Sequence, residues 1–173
     1  AANAAELVYT IEDEAANLEG LTLEKASVVY GAANAAELVY TIDYTLDSRY
    51  DPYSNSFSNL TLKQAVVLAG ADNYVHADNY AQTNPSYTIQ DTLAHLIDPQ
   101  YSSVLSGRTY TIEDEAANLE GLTLEKASVV YGAANAAELV YTIEDEAANL
   151  EGLTLEKASV VYGAANAAEL VYT

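Results

Sequence analysis

The stretch YTIEDEAANLEGLTLEKASVVYGAANAAELV, residues 9–39, recurs without a change at 110–140 and again at 141–171. We refer to these stretches as the first, second and third copies. Periods of 20–50 residues are typical of modular arrays in which one unit cannot bury its apolar face alone. Identity at every position indicates recent duplication, active homogenisation or engineering, because natural repeats drift apart.

The pattern within one copy predicts one short strand and short helices. LVYTI (38–42) is β-branched and aromatic, which favours a strand. EDEAANLEG (12–20) begins with acids and ends in glycine, as a short helix does. LTLEKASVVYG (21–31) has Thr22 as a candidate N-cap and Gly31 where a left-handed residue after a helix belongs.

The constant order of these pieces predicts the fold class. One strand followed by helices in every copy implies parallel strands joined by helical crossovers. Stacked copies would place each strand residue about 4.8 Å from its own counterpart, and the strand residues 38–42 are all uncharged. The sequence therefore predicts an α/β repeat solenoid with one short parallel strand and short helices per unit of about 31 residues.

The segment between the first and second copies differs in sequence but keeps the same phase. LTLKQAVVLAGADNY (60–74) follows LTLEKASVVYGAANA (21–35), and YTIQDTLAHLI (87–97) follows YTIEDEAANLE (9–19). We interpret the segment as two divergent repeats. The predicted organisation is a partial repeat at 1–8, a repeat at 9–39, a divergent repeat with insertions at 40–86, a shortened divergent repeat at 87–109, a repeat at 110–140, and at 141–173 a repeat plus the start of the next.

The composition excludes several classes of function. The net charge is −20, from 26 acidic against six basic residues, and the chain has no Cys. An acidic surface opposes binding to nucleic acid, whose phosphates need a basic face, and favours cations. The lack of Cys excludes disulfides, thiol catalysis and Cys-ligated metals. No apolar run approaches the roughly 18 residues that a membrane span needs.

Acidic residues near turn formers make calcium the one candidate cofactor. DYTLDSRYDPYSNS (43–56) and ADNYVHADNY (71–80) offer the carboxylate and amide oxygens that calcium prefers. Neither stretch matches an EF-hand, and an unspecific acidic surface is the alternative interpretation. The candidate ligands are Asp43, Asp47, Asp51, Asp72 and Asp78.

The sequence predicts no catalytic residue, and we expect that the protein is not an enzyme. His76 and His95 are the two histidines, and no serine is flanked by the glycines of a nucleophile elbow. The acids recur in every copy, which favours a solvated face over a catalytic pair in unlike environments.

The tyrosine of each Tyr-Thr-Ile strand would form a ladder along the sheet. Such a ladder would stiffen the sheet by aromatic packing, and a carbohydrate-binding strip is the alternative. The ladder would comprise Tyr9, Tyr40, Tyr87, Tyr110, Tyr141 and Tyr172.

GAANAAELVYTIEDEAANL (132–150), with YTIQDTLAHLI (87–97) and VLSGRTYTIEDEAANL (104–119), resembles tandem repeats of very large bacterial secreted surface proteins. Those haemolysin-like, adhesin-like and surface-layer-like chains share a Tyr-x-Ile-x-Asp-Thr-Ala-Ala-Asn-Leu core. The copies carry Glu14 where that core has Thr, and Thr92 restores it. A second likeness is to all-β adhesin modules with a Tyr-Gly followed by a Tyr-Thr-Ile strand, which lack the EDEAANLEG helix. Both resemblances imply secretion, display and adhesion.

These observations predict a structural, self-associating extracellular protein at the cell surface. It would be a segment of a surface fibre, a surface layer or a giant adhesin, assembled by stacking of identical units. AANAAELVYT stands at 1–10 and at 164–173, and the chain has no Met, so we expect a piece of a longer array with unpaired end faces. The expected partners are further copies of the chain, end to end or side by side, and surface glycans. The alternative is a ligand- or carbohydrate-binding adhesion module with its site in the 43–59 and 75–86 insertions.

Overall fold

The computed structural model of the chain describes residues 9–43, 46–70, 73–75 and 85–170. The chain divides into two compact units, Ala1–Tyr87 and Thr88–Thr173. The first copy belongs to the first unit, and the second and third copies belong to the second unit. Each described copy contains a short 3-10 helix, an α-helix and another 3-10 helix, in that order.

The elements have the following bounds. The α-helices are α1 (Leu23–Tyr30), α2 (Leu62–Gly70), α3 (Leu93–Leu96), α4 (Ser102–Leu105), α5 (Leu124–Gly132) and α6 (Leu155–Gly163). The strands are β1 (Thr41–Asp43), β2 (Tyr50–Asp51), β3 (Ser56–Leu60), β4 (Asn73–Val75), β5 (Ser86–Asp91) and β6 (Tyr110–Ile112). Short 3-10 helices lie at Ala15–Leu18, Ala35–Glu37, Pro99–Tyr101, Ala116–Leu119, Ala136–Glu138, Ala147–Leu150 and Ala167–Glu169.

The α-helix of each copy begins at a Thr-Leu pair whose threonine is the N-cap. The Thr22 hydroxyl accepts a hydrogen bond from the Lys25 N–H at 3.3 Å, and Thr123 and Thr154 accept the equivalent bonds. An N-cap hydroxyl satisfies one of the N–H groups that the first turn leaves free. The prediction of Thr22 as an N-cap is confirmed.

Gly31 is glycine for a different reason from the one that the sequence suggested. Its φ is −78°, so the prediction of a left-handed residue is wrong. A Cβ at Gly31 would lie 2.7 Å from the Tyr9 hydroxyl oxygen, which donates a hydrogen bond to the Val28 carbonyl. The glycine therefore makes room for the tyrosine that ties the strand segment to the helix.

The described strands form two sheets. β1 and β4 form a parallel pair, and the second sheet has the order β2-β3-β5-β6. β2 and β3 are antiparallel, with Tyr50 opposite Phe57. β5 and β6 are parallel, with Ile89 opposite Tyr110.

The prediction of a repeat solenoid is wrong, although the α/β class holds. A solenoid would pair each strand residue with its counterpart about 31 residues along the chain, in one continuous parallel sheet. The strands instead form two sheets, one of which is mixed. Ile42 forms an isolated bridge with Leu21, and Ile143 forms one with Leu122, and neither leucine is the counterpart of its isoleucine.

The backbone partners of the Tyr-Thr-Ile triplet explain this difference. The Asn135 side chain accepts from the Ile112 N–H at 3.0 Å and donates to the Ile112 carbonyl at 2.9 Å. The Ala134 N–H donates to the Tyr110 carbonyl at 2.8 Å. Asn34 and Asn166 make the same two bonds in their own copies. One edge of each triplet is therefore closed by its own copy and cannot pair with another triplet.

Each unit has its own packed helices. In the first unit α1 packs against α2, and in the second unit α5 packs against α6 and α3. The first core includes Leu18, Leu23, Ala26, Val29, Tyr40, Ile42, Phe57, Leu60, Val67 and Leu68. Buried residues of the second unit include Leu93, Leu96, Ile112, Leu119, Leu124, Ala127, Val130, Tyr141, Ile143 and Val161.

We expect Asn135→Ala to lower the free energy of unfolding by about 1–3 kcal/mol, because it leaves the Ile112 N–H and C=O without their partner. Urea denaturation measures the loss, and amide hydrogen exchange at Ile112 should become faster. The control is Asn149→Ala, which removes an exposed amide bonded to one carboxylate and should cost less than about 1 kcal/mol. Equal losses in the two variants would contradict the structural role of the asparagine.

Candidate functional site: an open helix face on the third copy

The leucine of the Thr-Leu pair shows how each helix is covered. Leu23, Leu62, Leu93 and Leu124 begin α1, α2, α3 and α5, and each is at most 4% exposed. Leu155 begins α6 and is 86% exposed. Leu124 and Leu155 occupy the same position of identical copies, so the difference comes from what packs on the helix and not from local sequence.

The third copy covers α5 and leaves the equivalent face of α6 open. α5 packs against α6, and the Tyr131 ring lies 3.4 Å from where a Cβ on Gly163 would stand. Tyr162, the counterpart of Tyr131, is far more exposed. We call the surface formed by Leu155 and Tyr162 the tail face. An open apolar surface of this kind is typical of an interaction site.

On the opposite face of the helix, the first copy has the exposed side chain and the third copy has the buried one. Val28 on α1 is 54% exposed, whereas its counterpart Val160 on α6 is 2% exposed. Val129 on α5 is half-buried. We call the surface of the first copy that contains Val28 and Asp13 the head face. The first copy therefore exposes the surface that the third copy buries.

Backbone hydrogen bonds join the second copy to the third. The Gly121 N–H donates to the Thr142 hydroxyl at 2.8 Å. The Leu122 N–H donates to the Thr142 carbonyl and the Glu144 N–H donates to the Leu122 carbonyl, each at 2.9 Å. The segment after Gly121 is thus completed by groups of the following copy.

An aspartate of the following copy also caps the preceding helix. The second carboxylate oxygen of Asp145 (Oδ2) accepts from the Leu124 N–H at 2.7 Å, and that of Asp114 accepts from the Leu93 N–H at 2.8 Å. A negative charge at a helix N-terminus is favourable because the free N–H groups carry partial positive charge. The junction is therefore electrostatic as well as apolar.

Hydrogen bonds lower the pKa of both capping carboxyls. The Asn149 side chain and then the Leu124 N–H lower the pKa of Asp145 against a smaller effect of burial. Burial raises the pKa of Asp114, but bonds from Asn118, Leu93 and Glu115, with the nearby His95, outweigh it and the pKa is lowered. The two caps are therefore carboxylates at neutral pH.

Two open grooves lie beside these caps. One, of about 580 Å³, is lined by Thr123, Glu125, Ser128, Asp145, Asn149 and Lys157. The other, of about 420 Å³, is lined by Thr92, Ala94, Ile97, Asp114, Asn118 and Lys126. Both contain the aspartate, the asparagine and one lysine, and in each the aspartate accepts from the asparagine and from the N–H of the leucine that begins the helix.

The candidate calcium ligands do not converge where the structure describes them. Asp47 accepts from the Arg49 guanidinium at 2.7 Å, and these bonds hold its pKa low. Asp51 accepts from the Ser54 hydroxyl at 2.6 Å. Asp43 lies in β1, and Asp72 and Asp78 lie outside the described residues. No metal-binding group of three or more His, Asp or Glu residues occurs in the described ranges. Calcium binding by these five residues stays a prediction.

His95 takes the position of the asparagine that bonds the capping aspartate. Its Nδ1 lies 2.7 Å from an Asp91 carboxylate oxygen, as the Asn118 amide lies 2.7 Å from Asp114. The His95 ring also packs edge-on against Tyr101. His76 lies outside the described residues. The absence of enzymatic activity stays a prediction.

The strand tyrosines contact helices of their own unit. The Tyr110 and Tyr141 hydroxyls donate to the carbonyls of Val129 and Val160, and burial raises the pKa of both phenols. Tyr40 donates to the Val67 carbonyl. Tyr172 lies outside the described residues.

No protein-family model, curated protein or solved structure matches the chain. Among the described residues, none of the helices is both long and apolar enough to span a membrane. The capping role of Asp145 escaped sequence reasoning, although a signal exists: Asp114 and Asp145 each lie 21 residues after the leucine of a Thr-Leu pair, Leu93 and Leu124.

Acid should destabilise the second unit, and Asp145→Asn should reduce that sensitivity. The pKa of Asp145 is lower in the folded than in the unfolded state. Its contribution to the free energy of unfolding is therefore complete above the unfolded pKa of about 3.9 and is lost as pH falls through the folded-state pKa. At pH 7 we expect Asp145→Asn to lower the free energy of unfolding by about 0.5–1 kcal/mol. This is at the low end for a hydrogen bond because the carboxylate is solvated.

Thermal denaturation across pH 2–7 would measure both effects. Glu146→Gln removes the same charge from an exposed neighbour and serves as the control. Equal pH profiles for the two variants would contradict the role of the Asp145 cap.

The calcium prediction requires a measurable rise in the melting temperature of the chain. Occupancy at tenfold excess over Kd contributes about 1.4 kcal/mol. The measurement compares millimolar calcium chloride with sodium chloride of equal ionic strength, because screening of the −20 net charge also raises stability. Equal melting temperatures in the two salts would contradict the calcium prediction. If calcium does raise the melting temperature, the rise should vanish when the five candidate ligands are replaced by Asn: Asp43, Asp47, Asp51, Asp72 and Asp78.

Proposed function

We propose that the protein is a structural, self-associating protein of an extracellular assembly, and that it associates through the surfaces by which one copy binds the next. The observation that carries this proposal is the junction between the second and third copies, in which helix packing and hydrogen bonds join two identical sequences. The junction buries Leu124 to 4% exposure, whereas Leu155 at the same position of the third copy is 86% exposed among the described residues. A further copy of the repeat matches this position in shape and chemistry.

The energetics support association. Burial of an exposed leucine contributes about 1.5–3 kcal/mol, and the Tyr162 ring adds apolar area beside it. The Leu155 N–H, which has no acceptor in the described part of the chain, would gain one in a junction like that at Leu124. The net charge of −20 opposes contact between chains, so association should strengthen as salt is added.

The composition and the sequence resemblance support an extracellular location. An acidic chain without Cys suits a secreted surface protein, and the repeats resemble those of bacterial surface fibres, surface layers and giant adhesins. A mechanical role needs only the surfaces that join units, and the grooves beside the caps contain no catalytic arrangement of residues in the described ranges.

The alternative is a ligand- or carbohydrate-binding module with its site in the 43–59 and 75–86 insertions. Tyr53 favours it, because its side chain is almost completely exposed at the turn between β2 and β3. An exposed aromatic ring suits stacking on a sugar. Such a module would bind its ligand as a monomer, so the oligomeric state separates the two functions.

Leu155→Glu should abolish self-association. Sedimentation velocity on the wild-type chain should show a mass that increases with concentration, and the variant should stay monomeric because a charge would have to be buried without a partner. Val140→Glu is the matched control: it makes the same kind of change at an exposed apolar residue outside the tail face and should behave as wild type. A wild-type chain that stays monomeric at high concentration and about 0.5 M salt would contradict the proposal.

A further inference from the structure

The shortened divergent repeat at 87–109 carries a histidine where the identical copies carry asparagine. In each copy that asparagine donates to the aspartate four residues before it, as Asn118 does to Asp114 at 2.7 Å. In the divergent repeat the pair is Asp91 and His95, whose Oδ1 and Nδ1 atoms lie 2.7 Å apart. An asparagine cannot change its charge, whereas an imidazole gains a proton near neutral pH. The substitution therefore turns a fixed hydrogen bond into one that can become an ion pair.

The aspartate of this pair is more deeply buried than its counterparts. Asp91 is 8% exposed, and it is the one charged residue that the described ranges of the chain bury. Asp114 and Asp145 are half-buried, and Asp13 is exposed. A carboxylate that is removed from water depends more on a cationic partner than an exposed one does. The His95 side chain is 41% exposed, so that protons reach it from the solvent.

The pair joins the end of β5 to α3. Asp91 ends β5, and His95 lies in α3. The same Asp91 oxygen accepts from the Thr92 N–H at 2.8 Å, where the chain enters the helix. The Leu93 N–H donates to Asp114, which follows β6. Two aspartates therefore hold the first turn of α3, and one of them does so through a side chain that titrates.

We propose that Asp91 and His95 form a pH-sensitive clamp, which stabilises the second unit further when its surroundings become mildly acidic. Because a carboxylate only accepts, the neutral ring donates its Nδ1 hydrogen to Asp91. Protonation of the ring replaces this bond by an ion pair in which both partners are charged. The identical copies, with asparagine in this place, keep a bond of constant strength over the same pH range. The clamp lies within one unit and does not depend on association between chains.

The groups in contact with the ring favour its protonated form. Burial raises the pKa of Asp114, but hydrogen bonds and then the charge on His95 lower it. That interaction is mutual, so the Asp114 carboxylate also stabilises the protonated ring. The Tyr101 ring packs edge-on against the imidazole, and a phenol carries no charge at neutral pH.

The other charged groups around α3 oppose each other in part. Asp98 follows α3, Glu113 and Glu115 follow β6, and Glu125 and Lys126 lie on α5, which packs against α3. All five are exposed or half-buried, so that water and salt screen them. Lys126 alone of the five disfavours a positive charge on the ring. The buried carboxylate at the end of β5 therefore has the largest influence on the histidine.

Acidification should strengthen the clamp. A group that gains partners in the folded state when it is charged contributes stability that is complete below the pH at which it titrates in the unfolded chain, about 6.5 for histidine, and that is lost as pH rises. Asp114 and Asp145 stay charged throughout this range, because their pKa values lie below the ordinary value for aspartate. The window between about pH 8 and about pH 5.5 therefore reports the clamp and not the caps.

His95→Asn tests the clamp, because it restores the residue of the copies and keeps a hydrogen-bond donor that cannot titrate. Urea denaturation at several pH values gives the ratio of folded to unfolded chain for each protein. The wild-type ratio relative to that of His95→Asn should rise about threefold to tenfold between about pH 8 and about pH 5.5. His76, the other histidine, is present in both proteins, so that its titration cancels.

Two further variants identify the partner of the histidine. In an Asp91→Asn background, the advantage of histidine over asparagine at position 95 should no longer depend on pH, since the partner charge is gone. Asn118→His transfers the clamp to the second copy. It places a histidine beside the half-buried Asp114 and should add a smaller gain of stability in the same direction.

The clamp is overturned if wild type and His95→Asn keep the same relative stability across the window, or if wild type loses stability relative to the variant on acidification. It is also overturned if the gain survives in the Asp91→Asn background. Should that buried substitution prevent folding, Asn118→His decides, because a variant that gains nothing on acidification would exclude pairing with a held aspartate as the cause.

Discussion

The second copy depends on the third for the acceptors of three of its backbone N–H groups, and this constraint shapes the junction between the two copies. The N–H groups of Gly121, Leu122 and Leu124 find their acceptors on Thr142 and Asp145 of the following copy. Donors left unpaired in a buried junction cost about 1–3 kcal/mol each. Folding of one copy is therefore coupled to the presence of its neighbour, through hydrogen bonds first and through apolar burial second.

Two of the acidic residues of the copies have a specific structural role at these junctions. Most carboxylates of the copies are exposed and contribute solubility and mutual repulsion, but Asp114 and Asp145 neutralise helix N-termini. The adjacent asparagines hold these carboxylates in place by donating to their first oxygens. His95 does the same for Asp91 in the divergent repeat, which explains why histidine can replace asparagine there. One position in the repeat thus provides the carboxylate that caps the preceding helix, as Asp114 and Asp145 do.

Sequence reasoning succeeded for features that depend on a few neighbouring residues and failed for those that depend on distant partners. The N-cap at Thr22 and the short helices follow from local rules. The solenoid prediction failed because the triplet edge is closed by Asn135 and Ala134, which no propensity scale indicates. No local rule could identify the tail face, since Leu124 and Leu155 have identical surroundings in sequence and opposite exposure.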